Sequence, residues 1–323
     1  MLAQDRKQSL TTKEIYISCI VPIYNEGTLI KEFLTALASH LQQLSNNYEI
    51  IVVDDGSKDN SVPQIIDLSN KFAIKILSLS RNFGKEAALT AGIDHAKGDV
   101  AILLDADFQH PIPMITTFLQ TWADGYDMVY GIRNNRNTDK GLKRLCTKLF
   151  YWFMTKTSKL DMPANAGDFR LLDRKIITAL QQLPERTRFM KGLYAWVGYN
   201  SLGLPFEVQR RLSGHSSFSL LRLCELASIG ITSFSNIPLR IWSLIGLLIS
   251  CSAVIYGMYV VASTICYGSD LPGFPTIVAA IVFLGGIQLL SIGILGEYIA
   301  RIFTEVKQRP IYIIGSKHGF PEN

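Results

Sequence analysis

From residue 241 to residue 300 the chain runs for sixty residues without a Lys or Arg, and the only charges there are Asp270 and Glu297. That run excludes a purely soluble protein. It holds two uncharged stretches, 241–269 and 271–296, and each exceeds the roughly 20 residues that a helix needs to cross a bilayer. Tyr267, Gly268, Pro272, Gly273 and Pro275 provide a turn between them that is too short to hold a domain. The expectation is a hairpin of two transmembrane helices.

Basic residues near the ends of spans stay on the cytoplasmic side. Arg240 precedes the first stretch, Arg301, Lys307 and Arg309 follow the second, and the loop between them has none. Both termini are therefore expected in the cytoplasm, with the chain a multi-pass protein of the inner (plasma) membrane. The N-terminus is charged (Asp5, Arg6, Lys7, Lys13, Glu14), and its first apolar run, 15–23, is strand length rather than a signal peptide. The five cysteines form no Cys-x-x-Cys pair and read as buried small apolar residues. A net charge of +5 comes without a nucleic-acid motif, so anionic lipid is the better partner for it.

Ahead of the hairpin, short β-rich runs at 15–23, 49–53, 74–79, 100–104 and 128–131 alternate with helical patterns. The clearest helix places Ile30, Phe33, Leu34, Leu37, Leu41 and Leu44 on one face. This alternation predicts an α/β domain with a mostly parallel sheet, whose ligands bind beyond the carboxyl ends of the strands. Three such ends carry polar clusters: Pro22 to Glu26, Asp54 to Ser57, and Asp105 to Gln109. Singly each reads as a solvated turn, but together they converge on one rim. Carboxylates at Asp105 and Asp107 suit a hard divalent cation, which takes oxygen ligands and bridges to phosphates. No Gly-rich phosphate loop is present. A metal-held diphosphate is the economical inference, the metal acting as a Lewis acid on the leaving group.

These residues resemble the family-2 glycosyltransferases of GT-A fold. The motifs Ser80 to Glu86, Gly167-Asp168-Phe169-Arg170, Pro184-Glu185-Arg186 with Phe189 to Gly192, and Leu295 to Ile299 are similar to those of polyprenyl-phosphate glycosyltransferases, bactoprenol glucosyltransferases in particular. The resemblance implies a UDP-sugar donor, UDP-glucose, a polyprenyl-phosphate acceptor at the membrane, and Mg²⁺ or Mn²⁺. It implies that Pro22, Tyr24, Glu26 and Asp55 contact the nucleoside side of the donor. It implies further that Asp105 and Asp107 hold diphosphate and metal with Gln109 as a third ligand, and that Asp168 lies near the sugar and the attacking phosphate. A helix cap ahead of 174–183 is the rival role for Asp168.

The nucleophile would be a phosphate oxygen, largely ionised near pH 7, so Asp168 is expected to orient more than to deprotonate. The acceptor phosphate needs cations, and Arg gives bidentate contacts to it. Arg133, Arg136, Arg210 and Arg211 are the candidates, with Ser216 beside them. Where relatives carry a Lys in this loop, Ser217 stands here. The expected plan is an N-terminal tail at 1–14, a GT-A catalytic domain at 15–211, a membrane-proximal segment at 212–240, the hairpin at 241–300 and a cytoplasmic tail at 301–323. Basic and aromatic residues in 142–157, and the apolar run 218–234, read as amphipathic interface helices. Gly285, Gly286 and Gly293 would permit close helix approach and a homo-oligomer. The rival readings are another sugar, mannose or an aminoarabinose type, and a non-catalytic lipid-binding scaffold.

Overall fold

A computed structural model of the chain describes residues 3–133, 166–186, 188–207, 237–267 and 273–321. The expected interface helices at 142–157 and 218–234, and Arg136, Arg210, Arg211 and Ser216, lie outside the described residues. The chain divides into two units, Met1–Cys224 with Arg309–Asn323, and Glu225–Gln308.

The first unit begins with α1 (Ala3–Thr11), followed by β1 (Tyr16–Ile23), α2 (Ile30–Leu44), β2 (Asn47–Asp54), α3 (Ser61–Ser69), β3 (Ile74–Leu79), α4 (Lys85–His95) and β4 (Val100–Leu103). It continues through α5 (Met114–Ala123), β5 (Met128–Arg133), β6 (Ala166–Asp173), α6 (Arg174–Gln182), α7 (Met190–Trp196) and β7 (Ser201–Phe206). The second unit holds α8 (Ile237–Tyr267) and α9 (Phe274–Val306), after which β8 (Ile314–His318) rejoins the first.

One eight-stranded sheet runs in the order β7-β5-β6-β4-β1-β2-β3-β8. Its centre, β4-β1-β2-β3, is parallel. The first five strands fall where the apolar runs predict them, because a parallel strand covered on both faces needs apolar residues throughout. Ile17, Cys19 and Val21 of β1 join a core with Phe33 and Leu37 of α2 and Phe118 and Trp122 of α5. Ile20, pointing the other way, meets α4 at Gly92. Each fully buried Leu, Ile or Phe in this core contributes about 1.5–3 kcal/mol relative to exposure.

Among the described residues four of the seven strand pairs are parallel, and the sheet is mixed because β6 runs antiparallel to both β4 and β5, and β8 antiparallel to β3. Asp168 lies within β6, and the cap of α6 is Asp173, whose carboxylate accepts the Lys175 N–H at 3.0 Å. The N-terminal segment is also ordered. Arg6 of α1 is 4% exposed and donates to the carbonyls of Trp122 and Tyr126 and to Asp127. It also pairs with Asp173 at 3.0 Å.

The two expected spans coincide with α8 and α9, which contact each other. Among the described residues, Phe283–Val306 is long and apolar enough to cross a bilayer. Beyond α9 the chain is more than a tail. Ser80 N–H donates to the Ile313 carbonyl at 2.9 Å, β8 pairs with β3, and Tyr312 donates to Asp94 at 2.9 Å. Of the cysteines, Cys19 is buried as expected, whereas Cys251 and Cys266 are exposed on α8.

Candidate active site

The polar clusters sit where parallel strands end. After β1, Asn25 adopts φ +55°, a left-handed conformation that Asn tolerates better than most residues. Its N–H donates to Ser57 Oγ at 2.9 Å, and the Glu26 N–H donates to Ser61 Oγ at 3.0 Å. The loops after β1 and β2 are thus knitted together. Pro22 lies in β1 opposite Val53, and the Tyr24 side chain is exposed.

Asp55 is buried, and its carboxylate accepts the N–H groups of Phe83 at 2.7 Å and Gly84 at 2.9 Å. Burial pushes its carboxyl up, against those two hydrogen bonds. The residue expected to contact the nucleoside therefore also holds the loop that follows β3. Gly56 makes that approach feasible: its φ is +74°, and a Cβ there would stand 2.7 Å from the Arg81 carbonyl carbon. Gly56→Ala is expected to cost about 1–3 kcal/mol of stability and to weaken donor binding, readable as a lower melting midpoint with a raised donor KM.

The register of β4 and β6 does the rest. Leu103 pairs with Arg170 in an antiparallel ladder, so two residues further on Asp105 comes beside Asp168. Between them stands Lys85, the first residue of α4. Its Nζ lies 2.7 Å from Asp105 Oδ1, 2.9 Å from Asp105 Oδ2 and 2.8 Å from Asp168 Oδ2. Burial opposes the charge on Asp168, but the ammonium groups of Lys85 and Lys191 outweigh it and hold the carboxyl well below the usual range. Glu86 has the opposite fate: burial, then the Asp168 carboxylate, push it up to about 7. Burial pushes the Lys191 ammonium down.

The loop carrying Asp105 and Asp107 is braced from below. Phe108 holds φ +57°, which costs a bulky L-residue about 1–2 kcal/mol, and its ring packs edge-on against Phe33 at 5.2 Å. Asp107 Oδ1 accepts the Gln109 N–H at 3.1 Å. His110 is 2% exposed, its Nδ1 accepts the Asp105 N–H, and its ring stacks on Phe169 at 4.8 Å. Burial pushes the His110 imidazole toward its neutral form. Phe169 follows Asp168 on β6, so this stack ties both acidic segments to one aromatic support.

Arg133 ends β5, and its Nε is buried without a hydrogen-bond partner among the described residues. Asp168 Oδ1 and the Tyr194 hydroxyl are buried in the same condition. Arg170, the residue opposite Leu103, stacks on Tyr194 at 3.7 Å. The structure thus brings Asp105 and Asp168 together, with Asp107 and Gln109 on the loop that carries Asp105, and places Pro22 at the end of β1 and Tyr24, Glu26 and Asp55 on the adjoining loops. The sequence motifs include Lys85, Glu86 and Lys191, but sequence reasoning gave them no role in the site. One signal was available, since Lys85 opens a helix, where the macrodipole disfavours a cation unless a carboxylate compensates it.

This arrangement, acidic loops at the carboxyl ends of an α/β sheet with a further carboxylate crossing from an antiparallel strand, is that of a glycosyltransferase. The chain belongs to glycosyl transferase family 2, whose model matches residues 18–180, from β1 into α6. The GtrB C-terminal hairpin matches residues 237–302, covering α8 and most of α9, and with the apolar helix it marks the chain as membrane-associated.

The SfII prophage-derived bactoprenol glucosyl transferase of Shigella flexneri is 41% identical over 304 residues, 94% of this chain and 98% of that protein. A prophage bactoprenol glucosyl transferase homolog of Escherichia coli is 42% identical, over 92% of this chain and 98% of that one. An uncharacterized glycosyltransferase of Synechocystis is 44% identical, over 94% and 96%.

Proposed function

We propose that the protein transfers glucose from UDP-glucose to polyprenyl phosphate, with inversion, at the cytoplasmic face of the inner membrane. The observation that carries the reading is the junction of Asp105 and Asp168 on Lys85, in a chain alike over nearly its full length to proteins named bactoprenol glucosyl transferases.

Tyr24, Glu26 and Asp55 face the nucleoside, and Asp105 and Asp107 the diphosphate. The donor set fits Mg²⁺ or Mn²⁺: two carboxylates and the Gln109 amide oxygen are hard ligands. Such a cation would complete its shell with substrate phosphates and water. When bound, the cation would neutralise the departing diphosphate.

An acceptor phosphate oxygen attacks the anomeric carbon from the face opposite the nucleotide. One C–O bond forms, the bond to UDP breaks, and its electron pair leaves on the β-phosphate. Because the attacking oxygen is already ionised near pH 7, Asp168 orients the reactants, while Arg133 with Arg136, Arg210, Arg211 and Ser216 holds the acceptor phosphate.

The return of β8 to the sheet supports an even number of crossings, since residues 309–323 belong to the catalytic unit. The flanking Arg and Lys residues put that side in the cytoplasm.

The test is incubation of the detergent-purified chain with polyprenyl phosphate, Mg²⁺ or Mn²⁺ and a panel of radiolabelled nucleotide sugars. Label is expected in the organic phase from UDP-glucose alone, and EDTA is expected to abolish it. Label from a different donor would replace glucose with that sugar. No label from any donor, with lipid binding intact, would favour a scaffold.

A further inference from the structure

The Lys85 ammonium lies within hydrogen-bond distance of three carboxylate oxygens of the site, two of Asp105 and one of Asp168. Both oxygens of Asp105 are therefore engaged by a cation that belongs to the chain. The side chain is nevertheless 43% exposed, so its stem has room to move, although burial weighs on the charge at its ammonium end. Its position at the start of α4 sets it against the positive end of the helix, and local structure gives no reason for a cation there. The compensating partners are residues 105 and 168, brought in by β4 and β6.

We infer that Lys85 is the resident counter-ion of this site: it holds Asp105 and Asp168 together in the free protein and competes with the divalent cation for Asp105. The inference rests on the proposed metal-dependent reading of the site. A divalent cation that takes an Asp105 oxygen either displaces a Lys85 contact or shares the carboxylate with it, and in both cases it sits close to a like charge. A nucleoside diphosphate removes that conflict, because its phosphate oxygens accept the hydrogens that Lys85 withdraws from Asp105. Cation and nucleotide should consequently bind together, with little occupancy by the cation alone.

The direct measurement is Mn²⁺ binding to the full chain in detergent, followed by the electron paramagnetic resonance signal of free Mn²⁺, with and without UDP. Without UDP, Lys85→Gln is expected to bind Mn²⁺ at least about tenfold tighter than the unsubstituted chain, a change of about 1.4 kcal/mol. Lys85→Arg, which keeps the charge, should bind like the unsubstituted chain. With UDP present the gap between Gln and Lys should shrink. Equal or weaker binding by Lys85→Gln would overturn the inference while leaving the metal reading intact. Absence of Mn²⁺ binding in every chain, with and without UDP, would overturn both.

A second measurement needs no variant that must fold. Acetic anhydride labelling of the unsubstituted chain, mapped by mass spectrometry, should rise severalfold at Lys85 on saturation with Mn²⁺. Unchanged labelling at saturation counts against displacement.

Discussion

Asp168→Asn is expected to lower kcat for transfer to polyprenyl phosphate by about 10²-fold, the scale of lost orientation, with the donor KM changed much less. The substitution keeps the shape of the side chain on β6 and removes only its charge. Lys85 then has Asp105 alone as a full counter-charge, and the buried rim beside Arg170 and Lys191 gains net positive charge. The acceptor phosphate can still be drawn in, but the carboxylate that sets its approach is gone. Steady-state kinetics with labelled donor, together with a melting curve to establish the fold, checks this. A kcat within threefold of the unsubstituted chain would remove Asp168 from the site chemistry.

Arg6→Ala should destabilise the first unit by about 3–5 kcal/mol, the usual cost of breaking a buried charge network from one side. Arg6 reaches two carbonyls and two carboxylates, and its guanidinium lies over the Trp122 ring at 5.0 Å. Its loss leaves Asp173 with the Trp122 indole N–H and the Lys175 backbone N–H, and Asp127 with the Lys175 ammonium.

Burial opposes the charge on Asp127, but Lys175 and Arg6 outweigh it and hold its carboxyl below the usual range. A carboxyl depressed in this way stabilises the folded chain above its unfolded value, and that contribution is lost as pH falls through the folded value. The Arg6→Ala deficit should therefore be full near neutrality and shrink in acid. Urea or thermal midpoints at about pH 7 and about pH 2 measure it, because the loss falls below the unfolded carboxyl value. A neutral-pH midpoint unchanged from the unsubstituted chain would mean that α1 is only an appendage.

The elements easiest to read from the chain were those whose environment is uniform along their length. Residues of β1, β2 and β4 are covered on both faces, so apolar runs mark them. α2 shows its burial as a stripe because only one face meets the core. The strands that escaped notice are of another kind. β6 carries Asp168 and Arg170 among its apolar residues, β7 is an edge strand holding Gly203 and Pro205, and β8 is a short polar edge, Ile314–His318. α1 has no apolar stripe, since what docks it is the buried side chain of Arg6 with Leu10 packed against the core. Each depends on partners far away along the chain, which a local pattern does not contain.

A similar division runs through the site. Asp105 and Asp107 stood out because they follow a buried strand at a spacing that suits a cation, and Gln109 entered only through the family resemblance. The meeting of Asp105 with Asp168, and the presence of Lys85 between them, were not legible.

By itself, the sequence determined an α/β domain with acidic loops at the strand ends and an apolar hairpin after it, because burial and bilayer thickness act on consecutive residues. Only the tertiary structure decided which cation answers which carboxylate. That choice depends on the antiparallel register of β4 and β6 and on where α4 begins, and register is set by the packing of the whole sheet.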